Sequence, residues 1–417
     1  MKKLFVILLT LLLLFCLCSC GQTLHGSDTS DDNINLHPSA IFDENAENQN
    51  DILQEKDNDF IFSWMSYIEL SVNAERDTED EYRKYIDGLF KNMSAVKVNH
   101  VLVHSRAYAD SFYKSDIFPP SEYICSKGEM LFDPLRIITD TAKQYGITVH
   151  AWINPYRISK SDDISSLSKD HIARKWYEQE NENDVVAVDG NLYFNPCSLK
   201  VQKLIIEGAR ELLENYDIGG IHIDDYFYPQ NCGDFDKKEY ESYLSQGGKL
   251  SLEDFRRENV SSLVSSLYCV VKQYGEDKLF TISPSGDTEK AYNELYADVY
   301  LWCKEKGYAD IIIPQIYFGF ENEKQPFKSC LDSWLKITDT ENVKLVPGLA
   351  LYKAGQKDIN AGTGEKEWQE NSDIIKRQME YIYSGKCSGF ALYSASYINF
   401  YETFLSKEVN NIKSVIQ

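Results

Sequence analysis

The stretch IGGIHIDDYFYP (218–229) decides the fold. Its apolar part is too short for a helix, rich in β-branched residues, and introduced by two glycines, which reads as a buried strand. Side chains alternate along a strand, so Ile221 and Ile223 face one side and Gly220, His222 and Asp224 the other. The isoleucines should face surrounding helices, and the other set the interior of a barrel. The strand ends in two adjacent acids followed by Tyr-Phe-Tyr-Pro. An acid there is costly to desolvate unless it is hydrogen-bonded or paired. Asp224 is the last inward residue, and Asp225 opens the loop.

Working outward, the same rhythm recurs. Strand candidates are FIFSWMSYIEL (60–70), VNHVLVHS (98–105), ITVHAWINP (147–155), KLFTISPS (278–285), ADIIIPQIYF (309–318), VKLVPGLALY (343–352) and SGFALYSAS (388–396). Amphipathic segments lie between them, such as DPLRIITDTAKQYG, SLKVQKLIIEGARELLENYD and AYNELYADVYLWCKEKG; several open on Asp or Ser caps, and two close in Gly. Eight βα units predict an α/β (β/α)8 TIM barrel. A doubly wound sheet is the competitor, but no Gly-x-Gly-x-x-Gly follows the first strand. Long insertions follow strands 2, 3 and 4, which predicts elongated loops on the C-terminal face, where barrel active sites lie.

The 417 residues carry a formal charge of −22, which disfavours nucleic acid or an anionic membrane surface as the main partner. Tyr (28) and Phe (20) are abundant enough to supply both a core and flat faces for a ligand. Residues 1–20, MKKLFVILLTLLLLFCLCSC, read as a secretion signal. The end, Leu17-Cys18-Ser19-Cys20, resembles a bacterial lipobox, so Cys20 is expected to carry a lipid anchor at the outer face of the cell membrane. An ordinary cleaved signal is the alternative. Residues 21–58 are polar and lack apolar periodicity, which predicts a disordered linker; 59–417 is the expected barrel. The seven later cysteines are scattered and include no Cys-x-x-Cys, so neither zinc nor a dense disulfide framework is expected.

The predicted strand ends bring together Glu69, His104, Arg106, Trp152, Asn154, Tyr156, Arg157, His222, Asp224, Asp225, Tyr226, Ser283, Gln315, Tyr317 and Tyr393. Acids and amides for hydroxyl groups, with aromatic faces for sugar CH groups, suit an oligo- or polysaccharide. Glycoside hydrolysis requires two carboxyl groups flanking the bond. Asp224 is expected as nucleophile or charge stabiliser. Glu69 is the first candidate for its partner and Asp225 the second, with Asp110 and Asp287 also possible. No cofactor is expected. His104, His150 and His222 lie on successive strands, but strand 1 has Ser63-Trp64-Met65 instead of the His-x-His of barrel metallohydrolases, so no metal is expected.

Taken together, DPLRIITDTAKQYGITVHAWINPYRIS, IGGIHIDDYFYP, LFTISPSG, YADVYLWCKEKGYADIIIPQIYFGF and LVPGLALYK closely resemble the glycosyl-hydrolase-like 10 family over about residues 60–400. These are bacterial secreted or lipoprotein barrels distantly similar to the α-amylase superfamily. The resemblance implies a glycosidase acting on cell-envelope glycan of the peptidoglycan type. It places the nucleophilic Asp at the end of strand 4, with His222 where amylases carry Arg, and lets Asn154, Tyr156, Arg157, Asp225, Tyr226, Gln315 and Tyr317 line the cleft. Strand 1 departs from the family opening, so Glu69 rests on placement alone. A non-catalytic glycan-binding barrel is the alternative; a deacetylase or amidase would demand a metal or a nucleophilic Ser.

Overall fold

The computed structural model describes residues 60–126, 128–179, 183–401 and 403–416. The secretion signal, Cys20 and the linker lie outside the described residues. Eight parallel strands form the frame: β1 (Phe60–Met65), β2 (His100–Arg106), β3 (Thr148–Ile153), β4 (Gly220–Ile223), β5 (Leu279–Ile282), β6 (Ile311–Ile312), β7 (Lys344–Leu345 and Gly348–Leu349) and β8 (Gly389–Leu392). The two halves of β7 occupy the two ends of the sheet order. The first half pairs with β6 and the second with β8, and β8 pairs with β1, so the sheet closes on itself.

The main helices are α1 (Glu79–Ala95), α2 (Pro134–Tyr145), α3 (Leu199–Asn215), α4 (Leu252–Gln273), α5 (Phe327–Ile337), α6 (Ile374–Tyr383) and α7 (Thr403–Ile416). Capping follows the sequence. Asp133 accepts from the Arg136 N–H at α2, Gly146 ends that helix with φ +66°, and Ser198 caps α3. One expected helix, AYNELYADVYLWCKEKG, is replaced by two short ones, Thr288–Asn293 and Val299–Trp302. Asp298 accepts the Leu301 N–H and starts the second afresh.

Strands β5 to β7 are shorter than their apolar runs because each meets a proline, at 284, 314 and 347. A proline has no N–H to give the ladder. The ring continues through the proline carbonyls instead: Pro284, Pro314 and Pro347 accept from Gln315 N (2.9 Å), Gly348 N (2.8 Å) and Ala391 N (2.9 Å). β1 likewise ends at Met65, five residues before its apolar run does, where the chain turns over Glu69.

Two glycines are required by close approach. A Cβ on Gly220 would lie 1.8 Å from the Leu279 carbonyl oxygen, and one on Gly389 2.0 Å from that of Phe60. Both residues start a strand at positive φ, +156° and +136°.

The core has two layers. Phe62, Trp64, Leu102, Trp152, Ile311, Ile313, Val346 and Ala391 fill the barrel, so its interior is packed and any ligand must enter at the mouth. Ile221 and Ile223 join the larger layer between strands and helices, as their alternation requires. Truncating one of these buried aliphatics to Ala costs about 2–5 kcal/mol.

The insertion after β3 folds into an antiparallel ribbon of Arg157–Ser159, Asn191–Phe194 and Val185–Val188. Asp189-Gly190, both at positive φ, form its tight turn.

Candidate active site

At the C-terminal mouth, β3 and β4 lie side by side, with Trp152 opposite His222. One step beyond, Asn154 Nδ2 donates to Asp224 Oδ1 at 2.5 Å. The Tyr226 backbone N–H adds a second bond to the same oxygen at 3.2 Å. Asp224 is buried and Asp225 half-buried. Burial pushes the Asp224 carboxyl up to about 7, and the neighbouring Asp225 charge adds to the rise. The Asn154 hydrogen bond and Arg157 oppose it. Asp225 is also raised, chiefly by burial, with the Gln315 side chain opposing. Burial beside a second acid thus lets Asp224 hold its proton into the neutral range.

The loop carrying them is anchored from below. Asp236 takes two bonds from Arg256 on α4, each 2.7 Å, and both side chains are buried. Tyr228 donates to the same carboxylate at 3.3 Å.

Aromatic rings flank the acids on both sides. On one side Arg157 lies over Tyr226 (4.1 Å) and Tyr108 (4.3 Å), donating to the Tyr108 hydroxyl, and Lys160 donates to Tyr67 at 2.8 Å. A hollow of about 450 Å³ continues there, between Tyr108, Tyr123, Pro119 and Lys160. On the other side Tyr317, Tyr352 and Tyr393 form a cluster with centroids 5.6–6.0 Å apart. A more polar hollow of about 260 Å³ lies there, lined by Asp225, Gln315, Tyr317, Asn322 and Tyr352. A larger hollow of about 780 Å³ on the outer helices, around Phe320, Lys328 and Tyr381, includes none of these acids.

The structure thus brings His104, Trp152, Asn154, Arg157, Asp224, Asp225, Tyr226, Gln315, Tyr317 and Tyr393 to one mouth. His104 stacks on Trp152, with centroids 3.6 Å apart, and bonds Asn154. Gln315 donates to the Ser283 carbonyl at 3.0 Å, and the Ser283 hydroxyl is sealed in without a partner. His222 sits deeper: it accepts from Trp64 at 3.2 Å and donates to Thr281 at 2.8 Å, so both nitrogens serve the barrel interior. Burial pushes its imidazole down to about 3.

Besides His222 and Ser283, three more expected cleft residues sit elsewhere. The β2 ladder shifts register between His104 and Arg106, and this irregularity turns Arg106 out of the alternation. Its guanidinium lies buried over Phe118 at 4.5 Å, where burial lowers it to about 10. Tyr156 is wholly buried in the outer core layer. Glu69 is occupied: Oε2 accepts from Ser66 N (2.6 Å), and Oε1 from the Ser394 hydroxyl and Ser396 N (both 2.8 Å). The other acids considered are also engaged, Asp110 by the Tyr108 N–H and Asp287 by the cap of Thr288–Asn293.

The sequence reading did not assign Tyr108, Lys160 or Tyr352 to the site. Tyr108 and Tyr352 follow strand ends by two or three residues, a signal that was available; Lys160 is placed by the ribbon alone. Among the described residues no three His, Cys, Asp or Glu side chains gather as a metal site, and His100 and His150 bond each other at 2.9 Å.

A closed parallel barrel with acids and aromatic rings at its C-terminal mouth is an architecture compatible with glycoside hydrolases. The chain belongs to the glycosyl hydrolase-like 10 family, whose profile matches residues 64–369. It is 32% identical over 341 residues to glycosyl hydrolase YngK of Bacillus subtilis (strain 168), a match spanning 76% of this chain and 64% of that protein. It is 28% identical to glycosyl hydrolase DigH of Escherichia coli (strain K12), across 74% of each chain. In fold it resembles the PgaB (BpsB) glycoside hydrolase domain of Bordetella bronchiseptica, with TM-score 0.57, 10% identity, and coverage of 86% of this chain and 99% of that one.

Proposed function

We propose that this protein is a glycosidase that hydrolyses O-glycosidic bonds in an envelope glycan of the peptidoglycan type, tethered outside the cell by a lipid on Cys20. The observation that carries the reading is the Asp224–Asp225 pair at the barrel mouth, with aromatic rings on either side and a polar hollow that Asp225 lines. A carboxyl held near 7 exchanges a proton at neutral pH, which suits a general acid and base better than the nucleophile expected from the sequence. Asp225 is the second acid, since Glu69 is tied to two loops. The adjacent acids can divide the work: Asp224 protonates the leaving oxygen and later deprotonates water, while Asp225 supports the positive charge that builds at the anomeric carbon.

Incubating the chain with purified cell-wall glycan and an oligosaccharide panel, with mass detection of products, tests this. Turnover that disappears in Asp224→Asn, with the fold intact, supports the role. Binding without turnover in the native protein would favour the non-catalytic glycan-binding reading, which the occupation of Glu69 keeps in play. Fatty-acid labelling lost in Cys20→Ala tests the anchor.

A further inference from the structure

An acid catalyst must carry its proton on the oxygen that faces the leaving group, and Asp224 has two oxygens. Oδ1 is occupied by the Asn154 amide at 2.5 Å and the Tyr226 N–H at 3.2 Å. Oδ2 has no hydrogen-bond partner among the described residues, and it is not among the sealed polar atoms of this face, as Trp152 Nε1 and Ser283 Oγ are. A proton on Oδ1 would have to displace a donor, so it rests on Oδ2.

That outcome depends on which end of the Asn154 amide faces Asp224. The two ends have nearly the same shape, and sterics alone do not choose between them. Reversed, the amide oxygen would face the carboxyl, repel its charged form and draw the proton to Oδ1. The choice is made one residue further away. His104 Nε2 lies 2.6 Å from Asn154 Oδ1. His104 Nδ1 lies 3.3 Å from the Tyr67 backbone nitrogen, which can only donate. Nδ1 is therefore the bare nitrogen, Nε2 bears the hydrogen, and Asn154 must offer its oxygen to His104 and its NH2 to Asp224. The imidazole cannot turn easily, because it lies flat on Trp152 at 10°. Burial holds it well below its ordinary pKa and therefore neutral.

We propose that His104 is a positioning residue: through Asn154 it fixes the oxygen of Asp224 that carries the catalytic proton. This rests on Asp224 being the acid. The other ionisable groups around the carboxyl are Asp225 and Tyr226 on its own loop, Arg157 after β3, Tyr317 after β6 and Tyr393 after β8, while Arg157 and His222 on β4 face His104.

The test uses His104→Phe, which keeps a ring on Trp152 but has no donor, and His104→Gln, whose amide can still donate to Asn154. Titration of the Asp224 carboxyl carbon by NMR in the full-length chain needs no substrate. Loss of a donor to the carboxylate raises its pKa, so His104→Phe should titrate higher than the native protein by about one unit, and His104→Gln close to native. On cell-wall glycan, kcat should fall by about 10²-fold in His104→Phe with KM little changed, and His104→Gln should recover most of it. An Asp224 titration unmoved in His104→Phe, or moved equally in both variants, overturns the proposal. Turnover retained in Asp224→Asn refutes the acid assignment instead, while the NMR comparison still decides whether His104 orients Asn154.

Discussion

Glu69 and Ser394 stand 325 positions apart in the chain, yet their side chains meet at 2.8 Å. With Ser66 N and Ser396 N on the same carboxylate, this contact ties the loop after the first strand to the loop after the last. Glu69→Gln exchanges one acceptor oxygen for a donor facing a backbone N–H or a hydroxyl. Stability should drop by about 1–3 kcal/mol, read from urea unfolding, while kcat stays within about tenfold of native. Abolished turnover at native stability would restore Glu69 as the catalytic acid.

Asp224→Asn should have a pH-dependent effect on stability as well as removing activity. The folded carboxyl sits near 7, against about 3.9 for an unfolded Asp. Between those values the folded state binds more protons, so this group's contribution to stability falls as pH rises through that window. The neutral amide does not share the loss. Asp224→Asn should therefore be more stable than native at pH 8, by on the order of a few kcal/mol in urea unfolding, and close to native at pH 4. Equal shifts at both pH values would show that Asp224 is not desolvated.

Arg256→Met removes the cation from a buried pair and leaves Asp236 without it. A loss of about 3–5 kcal/mol is expected, larger than for the paired change Arg256→Met with Asp236→Leu. Because Asp236 anchors the loop that follows the two acids, the single variant should also lose kcat. Equal stabilities for the single and double variants would count against the anchoring role.

Gly220→Ala places a methyl group 1.8 Å from the Leu279 carbonyl oxygen, where backbone and not a flexible side chain must yield. The pairing of β4 with β5 should fail, at a cost above about 4 kcal/mol, and the variant should be recovered insoluble or unfolded by circular dichroism. Gly88→Ala, inside α1 with no neighbour within 4 Å and no positive φ, is the mild control.

The strand count, the barrel, the caps at Asp133 and Ser198, and the position of Asp224 at the end of β4 were all legible in the sequence. Each depends on local periodicity: alternation along a strand, helical spacing, or one side chain reaching a nearby N–H. The ribbon after β3 is legible too, in VVAVDGNLYF, where Asp189-Gly190 joins two β-branched or aromatic runs.

Other features were decided only by the tertiary structure. Alternation carries a side chain's direction only as far as the next irregularity, and the register shift beside Ser105 sends Arg106 away from the cleft that His104 faces. Which donors capture an acid depends on groups the chain brings together from far apart, so Glu69 reads as a free strand-end carboxylate until Ser394 and Ser396 fold against it. The same holds for Asp224: its place is local, but its raised pKa comes from the burial and the Asp225 charge, opposed by the Asn154 amide, in surroundings that only the closed barrel assembles.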